Sequence, residues 1–542
     1  MLQALFYRQF SQLCPQGKPL QSTHMSSRYL SFAVFSAGMT TLAVELTASR
    51  LLGNVFGTSN LVWASIIGLI LIYLTVGYFI GGRWADRSPR FSTFYLIILW
   101  GAFTAGAAAL VARPVLRAAA DAFDQLQLAV LAGSFVSVLV LFIIPVTLLG
   151  TVSPFAIRLA LRDKQHAGRV SGRLYAISTL GSFIGTFLPV LVFIPLVGST
   201  YTFLIFSGFL MAVALLGLGL TEGWRTAARW TWMPILLGIL AAIWAGGAFK
   251  ASIGQIYESE SAYNYIQVIE VNDTRYLRLN EGQGVHSVYN PAQLDFQGTW
   301  EQFLAAPFFN ATPFNVTDIE RIAVIGLAGG TSARQAAEVF GDLPIDGYEL
   351  DPKIIEVGRQ YFGMTMPNLN VVAQDGRWGL EHSEQLYSLI EIDAYRPPYI
   401  PPHLTTVEFF ELTRAHLTAT GVLAINVGRT EEDRSLVDAL AVTLQQVFPS
   451  VHVMDVSNSF NSIIYATVQP TSFENLQANY DLLTAQVDVH PLLLTSIERT
   501  LANQRETPSE GTLLTDERAP VEWIVNKMVL NFLGSEGVEE LQ

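Results

Sequence analysis

The sequence predicts a multi-span α-helical membrane domain, followed by a small β-subdomain and an α/β doubly wound domain. Long apolar stretches fill the first half of the chain, whereas strand-like and helix-like segments alternate in the second. The charge also changes sign: residues 1–250 carry a net charge of +11 and residues 251–542 carry −24. The two sum to the overall net charge of −13. We therefore place the membrane domain at 29–250, the β-subdomain at 255–310 and the α/β domain at 311–542.

The composition excludes several classes of protein. Hydrophobic residues make up 51% of the chain and charged residues 14%, against about 25% charged residues in typical soluble proteins. The acidic half has no basic stripe, so nucleic-acid binding is not expected. Cys14 is the single cysteine, which excludes an intramolecular disulfide and a thiolate zinc cluster. No histidine pair has convincing metal-ligand spacing, so no metal is expected.

Seven apolar stretches near the spanning length predict seven transmembrane helices. Each stretch is apolar around its whole circumference, unlike an amphipathic surface helix. Gly77 with Gly81 and Gly181 with Gly185 have the spacing that lets helices pack closely. The stretches cover residues 29–52, 61–80, 92–112, 128–150, 174–197, 200–220 and 232–249.

The segment before the first stretch is predicted to be a flexible extension. Residues 1–28 are polar and contain Pro15 and Pro19. The first apolar run continues past Leu52 without a small-residue cleavage site, so no cleavable signal peptide is expected. Glu45 lies inside this run. An intramembrane carboxylate is a candidate functional group; the alternative is a structural hydrogen bond or a pair with Arg50.

The loops carry a topological signal. The segments 81–90, 158–173 and 221–231 are basic, whereas 53–60 and 198–200 carry no charge. The positive-inside rule then predicts a multi-pass protein of the cell membrane with a cytoplasmic N-terminus. An odd number of spans would place the C-terminal half outside.

The C-terminal half reads as a hairpin followed by a doubly wound sheet. "YNYIQVIEV" and "TRYLRLNEG" alternate like half-buried strands, and the polar "NDT" between them is a turn signal. Strands then alternate with helices, which is typical of a parallel sheet whose ligand site lies at the carboxyl ends of the strands. The predicted strands are "RIAVIG", "IDGYEL", "NVVAQD", "YSLIEID", "GVLAINV", "VHVMDV" and "SIIYATV".

Candidate site residues lie at four consecutive strand ends. The glycine-rich turn after the first of these strands can cradle a nucleotide-like ligand. Glu349 ends the second strand, where an acid can bind both ribose hydroxyls, and Asp375 with Gly376 ends the third, near an adenine edge. Asp393 ends the fourth, where a carboxylate faces the reacting end of the ligand. The turn residues are Gly326, Ala328, Gly329 and Gly330.

Motifs along nearly the whole chain resemble one family. In the C-terminal half they are "VIGLAGGTSAR", "YELDP", "QDGR", "IDAYRPPYIPPHLTTVEFFE" and "LLTDERAPVE", and in the apolar half "GGRWADR", "GTVSPFAIRLA" and "RLYAISTLGSFIGTFLPVLVFIPLVG". They resemble the spermidine synthase (polyamine aminopropyltransferase) family, in its membrane-fused form with a transporter-like N-terminal part. The resemblance implies a small β-domain and a methyltransferase-like Rossmann domain. It also implies transfer of an aminopropyl group from decarboxylated S-adenosylmethionine to an amine.

The resemblance assigns roles to the strand-end acids. Glu349 would hold the ribose of an adenosyl donor, S-adenosylmethionine or its decarboxylated form, Asp375 would contact the adenine, and Asp393 would deprotonate the attacking amine. The partners implied are the lipid bilayer, the donor and an amine acceptor, with a homodimer or a membrane complex left open. Residues expected to contact the substrate are Gln283, His286, Tyr395 and Arg396.

Three departures from the family concern cation binding. Ala328 stands where the family has an aspartate for the donor amine, and Arg396 stands where it has a second catalytic-loop aspartate. The family's Tyr-His-Glu cluster is not recognisable in "GTWEQFLAAPFF". A diamine would meet Arg396 instead of a carboxylate, and like charge in a desolvated site costs several kcal/mol. The donor pocket is predicted to be retained and the polyamine pocket to be eroded.

Three functions of different class remain. One is aminopropyl-type transfer to an acceptor other than a simple diamine, with Asp393 as the base. Another is a non-catalytic module that assembles or regulates a membrane complex. A transporter-like role with Glu45 as the ion-coupling group is a third. Because adenosyl donors are made in the cytoplasm, an external domain favours the non-catalytic function, unless the seventh stretch, which contains Pro234, does not span. The loop charges slightly favour the external side.

Overall fold

The structure is a computed structural model that describes residues 24–56, 60–126, 130–161, 166–245, 252–280, 284–395 and 399–534. We call residues 24–245 the helical half and residues 252–534 the C-terminal half. Most of the predicted extension lies outside the described residues, whereas residues 24–28 already belong to the first helix.

The helical half consists of long apolar helices joined by short connections. Their length and composition follow the apolar stretches of the sequence. The helices are α1 His24–Phe56, α2 Asn60–Arg87, α3 Phe91–Leu126, α4 Val130–Gly150, α5 Val152–Ala160, α6 Ala167–Leu188, a π-helical turn at Pro189–Phe193, α7 Ile194–Glu222, α8 Trp224–Ala228 and α9 Trp232–Trp244.

Six helical segments of the described residues are long and apolar enough to cross a membrane. The longest, Ala167–Glu222, has 56 residues. At a 1.5 Å rise per residue it would measure roughly 84 Å, far more than the ~30 Å hydrocarbon core. Its backbone leaves the helical conformation at Gly198, where φ is 78° and ψ is 169°. The segment therefore consists of two helices, and the six segments accommodate the seven predicted stretches.

The predicted glycine pairs lie where helices touch. A Cβ atom on Gly181 would lie 2.1 Å from the backbone oxygen of Phe35, and one on Gly77 would lie 2.4 Å from that of Thr147. Cβ atoms on Gly185 and Gly81 would lie 2.0 and 2.6 Å from backbone atoms of the facing segments. Only glycine permits these distances, so the interpretation of the pairs as packing residues is confirmed.

The β-subdomain begins as a four-stranded antiparallel sheet in the order β1-β2-β3-β4. The predicted hairpin joins β2 to β3, and its turn residues Asn272 and Asp273 both have positive φ, as a tight hairpin turn requires. The strands are β1 Gln255–Glu260, β2 Tyr265–Val271, β3 Thr274–Leu279 and β4 Val285–Tyr289.

All seven predicted strands of the α/β domain are present, together with a short edge strand. Helices connect the parallel strands, as in other doubly wound folds. The strands are β5 Ile322–Ile325, β6 Ile345–Tyr348, β7 Leu369–Val372, β8 Tyr387–Ile392, β9 Leu417–Gly428, β10 Ser450–Asp455, β11 Asn461–Thr467 and β12 Gln504–Arg505. The helices are α10 Thr331–Phe340, α11 Pro352–Tyr361, α12 Gly376–Glu381, α13 Val407–Ala415, α14 Ser435–Gln445, α15 Phe473–Thr484, α16 Pro491–Ala502 and α17 Val521–Gly534.

The strand order places the candidate site. The order is β7-β6-β5-β8-β9-β11-β10-β12, with β5 to β9 parallel and the others antiparallel. The chain crosses from one side of β5 to the other between β7 and β8. The carboxyl ends of β5, β6 and β8 meet at this switch point, where doubly wound sheets bind their ligands.

The segment Trp300–Phe309 joins the core of this sheet. It forms a 3₁₀ helix whose Phe303, Phe308 and Phe309 are fully buried. They pack with Val324 of β5 and with other apolar residues on the same face. This segment falls within the range expected for the β-subdomain, but it is part of the α/β core and lies close to the site.

The two halves touch at one end of the helical half. Arg50, near the end of α1, donates to the backbone oxygens of Ser261 at 2.7 Å and Tyr263 at 2.8 Å. Glu260, which ends β1, accepts from the backbone nitrogen and the hydroxyl of Ser199, both at 2.7 Å. The C-terminal half therefore contacts both α1 and the helix break after Gly198.

Candidate functional site

The glycine-rich turn follows β5 and depends on backbone geometry that favours glycine. Gly326 has φ 87°, and a Cβ atom there would lie 2.6 Å from Ala394 Cα and from the backbone oxygen of Asp393. Gly330 has φ 86° and precedes α10. Ala328 also has positive φ, at 48°. The turn thus brings the end of β5 against the end of β8.

Glu349 lies beside this turn, at the end of β6. Its Oε1 accepts the Asp351 backbone N–H and its Oε2 accepts the Ala328 backbone N–H, both at 2.9 Å. The side chain is buried, and burial raises the pKa of Glu349 to about 7 although the backbone N–H groups oppose the shift. A carboxylate oxygen has two acceptor sites. Each oxygen therefore retains capacity for one ribose hydroxyl.

Asp351 has a structural role, as its position before Pro352 indicates. It is the N-cap of α11, and its Oδ1 accepts the Lys353 backbone N–H at 3.0 Å. Its Oδ2 accepts from the Ser261 hydroxyl at 2.5 Å and from the Asn264 amide at 2.9 Å. This residue thereby links the β-subdomain to the end of β6.

Asp375 is the N-cap of α12. Its Oδ1 accepts the backbone N–H groups of Arg377 and Trp378 at 3.0 and 3.1 Å. Its Oδ2 lies 2.8 Å from His403 Nε2, and this hydrogen bond lowers the pKa of Asp375. Both oxygens already have partners, so an adenine contact would share them. His403 belongs to the short 3₁₀ helix Pro402–Leu404, whereas His416 follows the separate helix α13.

Asp393 follows β8 and lies between the turn and β9. Its Oδ1 accepts the Asn426 side-chain amide at 2.8 Å. Burial raises the pKa of Asp393 to about 7, while the hydrogen bonds from Asn426 and the Trp300 indole oppose the shift. A carboxyl group with a pKa near the working pH is suited to accept a proton.

Glu391 is a second buried carboxyl group on the same strand. It is 1% exposed, and burial raises its pKa to about 8, with a further contribution from the charge of Asp393. Residues i and i+2 of a strand project to the same face. The face of β8 that carries Asp393 therefore also carries Glu391, and negative charge is costly there.

The predicted substrate residues are only partly described. The Tyr395 hydroxyl accepts the Gly428 backbone N–H, and burial raises the pKa of Tyr395. His286 lies in β4, where burial lowers its pKa to about 4, so it is neutral at pH 7. The next residue, Ser287, accepts the Gly329 backbone N–H at 2.8 Å, so β4 covers the glycine-rich turn. Gln283 and Arg396 lie outside the described residues.

Three residues of this site were not singled out from the sequence: Glu391, Asn426 and Trp300. Glu391 and Asn426 had a usable signal, because each is a polar residue inside an apolar strand run, in "YSLIEID" and "GVLAINV". Trp300 had none, since the 3₁₀ segment that carries it shows no regular period.

Comparison with known proteins finds relatives of the C-terminal half. Residues 317–468 match the family described as "Spermine/spermidine synthase domain". A probable polyamine aminopropyl transferase of Bifidobacterium longum is 29% identical over 280 residues, which cover 49% of this chain and 61% of that protein. The polyamine aminopropyltransferase of Vibrio vulnificus is 29% identical over 289 residues, 50% of this chain and 92% of that protein.

Solved structures align with the same region. The crystal structure of a probable spermidine synthase from Corynebacterium glutamicum covers 50% of this chain and 100% of its own, with a TM-score of 0.38 and 17% identity. The family match spans β5 to β11 and includes the glycine-rich turn, Glu349, Asp375 and Asp393. Residues 317–468 thus carry the match to a spermine/spermidine synthase domain, and they lie within the doubly wound α/β fold described above.

Proposed function

We propose that the C-terminal half binds an adenosyl donor and transfers an aminopropyl-type group from it to an amine. The observation that carries the proposal is Asp393, a carboxyl group with a pKa of about 7 at the switch point of the sheet. It lies against the Gly326 turn and at the same sheet edge as Glu349. The names of the relatives, polyamine aminopropyltransferases, support the same reaction class.

In this reaction the acceptor nitrogen attacks the donor carbon that is attached to the sulfonium sulfur. A C–N bond forms, the C–S bond breaks, and its electron pair returns to sulfur, which leaves as a neutral thioether. The acceptor nitrogen loses a proton, which Asp393 accepts. Asn426 orients the base through its 2.8 Å hydrogen bond to Oδ1, and Glu349 holds the ribose. Next to the donor, the glycine-rich turn presents backbone atoms and no bulky side chains.

The acceptor is proposed to be an amine other than a simple diamine. Ala328 provides no carboxylate at the glycine-rich turn, and Trp300 brings an indole, not an acid, to Asp393. Glu391, a further carboxyl group near the base, is kept largely uncharged by burial, so the described residues around Asp393 offer little to hold a second positive charge. This argument supports an altered acceptor pocket in a donor site that is retained.

A non-catalytic module is the second candidate. The observation that favours it is again Trp300, whose indole acts as a hydrogen-bond donor that lowers the pKa of the proposed base. If this hydrogen bond persisted with donor bound, the acceptor amine would have to compete for the carboxylate. The domain would then bind a ligand without turnover and regulate a membrane complex.

The side of the membrane is proposed from the contacts between the halves. The C-terminal half touches Arg50 and Ser199, at the same end as the uncharged connections. The basic segments lie at the other end, where Arg158 pairs with Asp86 at 3.1 Å. Because basic loops stay in the cytoplasm, this arrangement supports a multi-pass protein with its C-terminal half on the external side of a lipid bilayer. That side favours the non-catalytic module, because adenosyl donors are made in the cytoplasm.

Calorimetry on the full-length protein in detergent tests donor binding. Titration with S-adenosylmethionine, its decarboxylated form and methylthioadenosine is expected to give saturable binding of at least one ligand. Glu349→Gln should weaken it by about tenfold or more, since a hydrogen bond to a charged group contributes about 1.5–3 kcal/mol. Glu338→Gln, on an exposed position of α10, is the control. No binding at millimolar ligand, or equal binding by both variants, would refute the proposal.

A further inference from the structure

We infer that Arg50, at the end of the first apolar helix, is a positioning residue for the donor-ribose site. The helical half is then part of the binding machinery of the C-terminal half, not only its anchor. This inference rests on the proposed donor binding and specifies which residues outside the synthase domain support it. A chain of hydrogen bonds connects Arg50 to Glu349.

The first link joins α1 to the loop between β1 and β2. Arg50 uses two guanidinium nitrogens on two backbone oxygens: Nη2 on Ser261 at 2.7 Å and Nη1 on Tyr263 at 2.8 Å. A planar guanidinium that binds two carbonyl groups fixes both the position and the orientation of the loop. Arg50 lies 211 residues before Ser261, so this contact depends on both halves being folded.

The loop is also held from its other side. Glu260, immediately before Ser261, accepts two hydrogen bonds at 2.7 Å from Ser199, the residue after the Gly198 break. Two separate helices of the helical half therefore hold the same few residues. The loop can move relative to the helices only if charged hydrogen bonds break, each worth about 1.5–3 kcal/mol.

The second link joins the loop to Asp351. The Ser261 hydroxyl donates to Asp351 Oδ2 at 2.5 Å, and the Asn264 amide donates to the same oxygen at 2.9 Å. Asn264 is held in turn by the Asn280 amide at 3.0 Å. Asp351 is only 1% exposed, so water cannot readily replace these donors. A buried carboxylate that loses its donors has to move or become protonated.

The third link joins Asp351 to the ribose-binding acid. The Asp351 backbone N–H donates to Glu349 Oε1 at 2.9 Å, while Ala328 holds Oε2. The two bonds set the plane of the Glu349 carboxylate, and ribose recognition requires both oxygens in one orientation. Displacement of Asp351 would free Oε1 and would weaken the contacts to the ribose hydroxyls more than contacts to the rest of the donor.

The test compares two ligands on the full-length protein in detergent. Methylthioadenosine and its 2′-deoxy analogue differ by one ribose hydroxyl, and the ratio of their dissociation constants reports ribose recognition. For the parent we expect a preference of about tenfold for the ribose form, which corresponds to about 1.4 kcal/mol. Arg50→Ala should reduce the preference to about threefold or less, and Arg50→Lys should restore part of it.

The Ser261→Ala variant tests the inference independently of Arg50. It removes the hydroxyl that holds Asp351 and that also accepts the backbone N–H groups of Tyr263 and Asn264. It should reduce the preference in the same way even where Arg50→Ala does not fold. Arg158→Ala is the matched control, because this arginine pairs with Asp86 at the opposite end of the helical half. It should retain the preference of the parent.

The outcomes separate this inference from the proposed function. If the parent binds neither ligand, donor binding itself is refuted. If the parent prefers the ribose form and both Arg50→Ala and Ser261→Ala retain that preference, the inference is wrong. Equal weakening of both ligands by Arg50→Ala would also overturn it, because that pattern indicates general destabilisation instead of positioning.

Discussion

Replacement of Asp393 by asparagine should stabilise the protein and abolish turnover. Burial raises the pKa of Asp393 from its ordinary 3.8 to about 7, so the folded state holds this proton more tightly than the unfolded state. Between about pH 4 and pH 7 the folded state binds more protons, and its stability falls as the pH rises. Above about pH 7 this loss of stability is complete. About three pH units at 1.36 kcal/mol each correspond to a cost on the order of 4 kcal/mol.

Asparagine avoids this cost because it does not ionise. It keeps an oxygen for the Asn426 amide, but an uncharged acceptor weakens the hydrogen bonds at this site by about 1 kcal/mol relative to a carboxylate. We therefore expect a net gain of about 2–3 kcal/mol at pH 8 and none near pH 4. For a domain of this size that corresponds to a rise in the unfolding midpoint on the order of 5–10 °C.

Thermal unfolding followed by tryptophan fluorescence at pH 5, 6, 7 and 8 measures the effect. The difference between Asp393→Asn and the parent should grow with pH and level off above pH 7. Asp342→Asn, at an exposed position between α10 and β6, is the control. A difference that is constant across this range, or that shrinks as the pH rises, would show that the charge of Asp393 is not costly in the folded state.

Three further predictions concern single residues. Gly326→Ala should abolish donor binding, because its Cβ atom would lie 2.6 Å from Ala394 Cα and the backbone has φ 87°. The control Gly341→Ala, at φ 82° with open space around it, should bind the donor normally, and calorimetry compares the two variants. Trp300→Phe removes a hydrogen bond that lowers the pKa of Asp393, so the rise of turnover with pH should move to higher pH; an unchanged pH profile would contradict the contact. Gly181→Leu should lower the unfolding midpoint and the yield of extracted protein, since even a Cβ atom would lie 2.1 Å from the Phe35 oxygen and overpacking costs about 1–3 kcal/mol. Gly172→Leu, with open space on the same helix, should lower neither, and an equal loss in both variants would argue against close packing.

The strand ends could be predicted because local patterns determine them. Short apolar runs that end in Glu349, Asp375 and Asp393 indicate parallel strands with polar residues at one edge, and the parallel ladder places them there. The "NDT" turn and the glycine pairs follow from backbone sterics in the same way. These features depend on residues close together in the chain.

Contacts between distant segments could not be predicted in this way. Trp300 reaches Asp393 only because a 3₁₀ segment without a regular period packs against the sheet. The sequence suggested Arg50 as a partner for Glu45 inside the first span. In the structure Arg50 donates hydrogen bonds to Ser261 and Tyr263, and these bonds depend on how the two halves meet. The break at Gly198 lies in an apolar run where composition alone marks no boundary.

Release of a thioether from the donor tests the central claim most directly. The full-length protein is incubated with decarboxylated S-adenosylmethionine and a panel of monoamines, diamines and amino acids, and the products are measured by mass spectrometry. The parent should release methylthioadenosine together with an aminopropylated amine, and Asp393→Asn should release neither. Donor binding by the parent without any product from any amine would contradict the assignment of a group-transfer enzyme and favour the non-catalytic module. Equal release by the parent and by Asp393→Asn would remove Asp393 as the base.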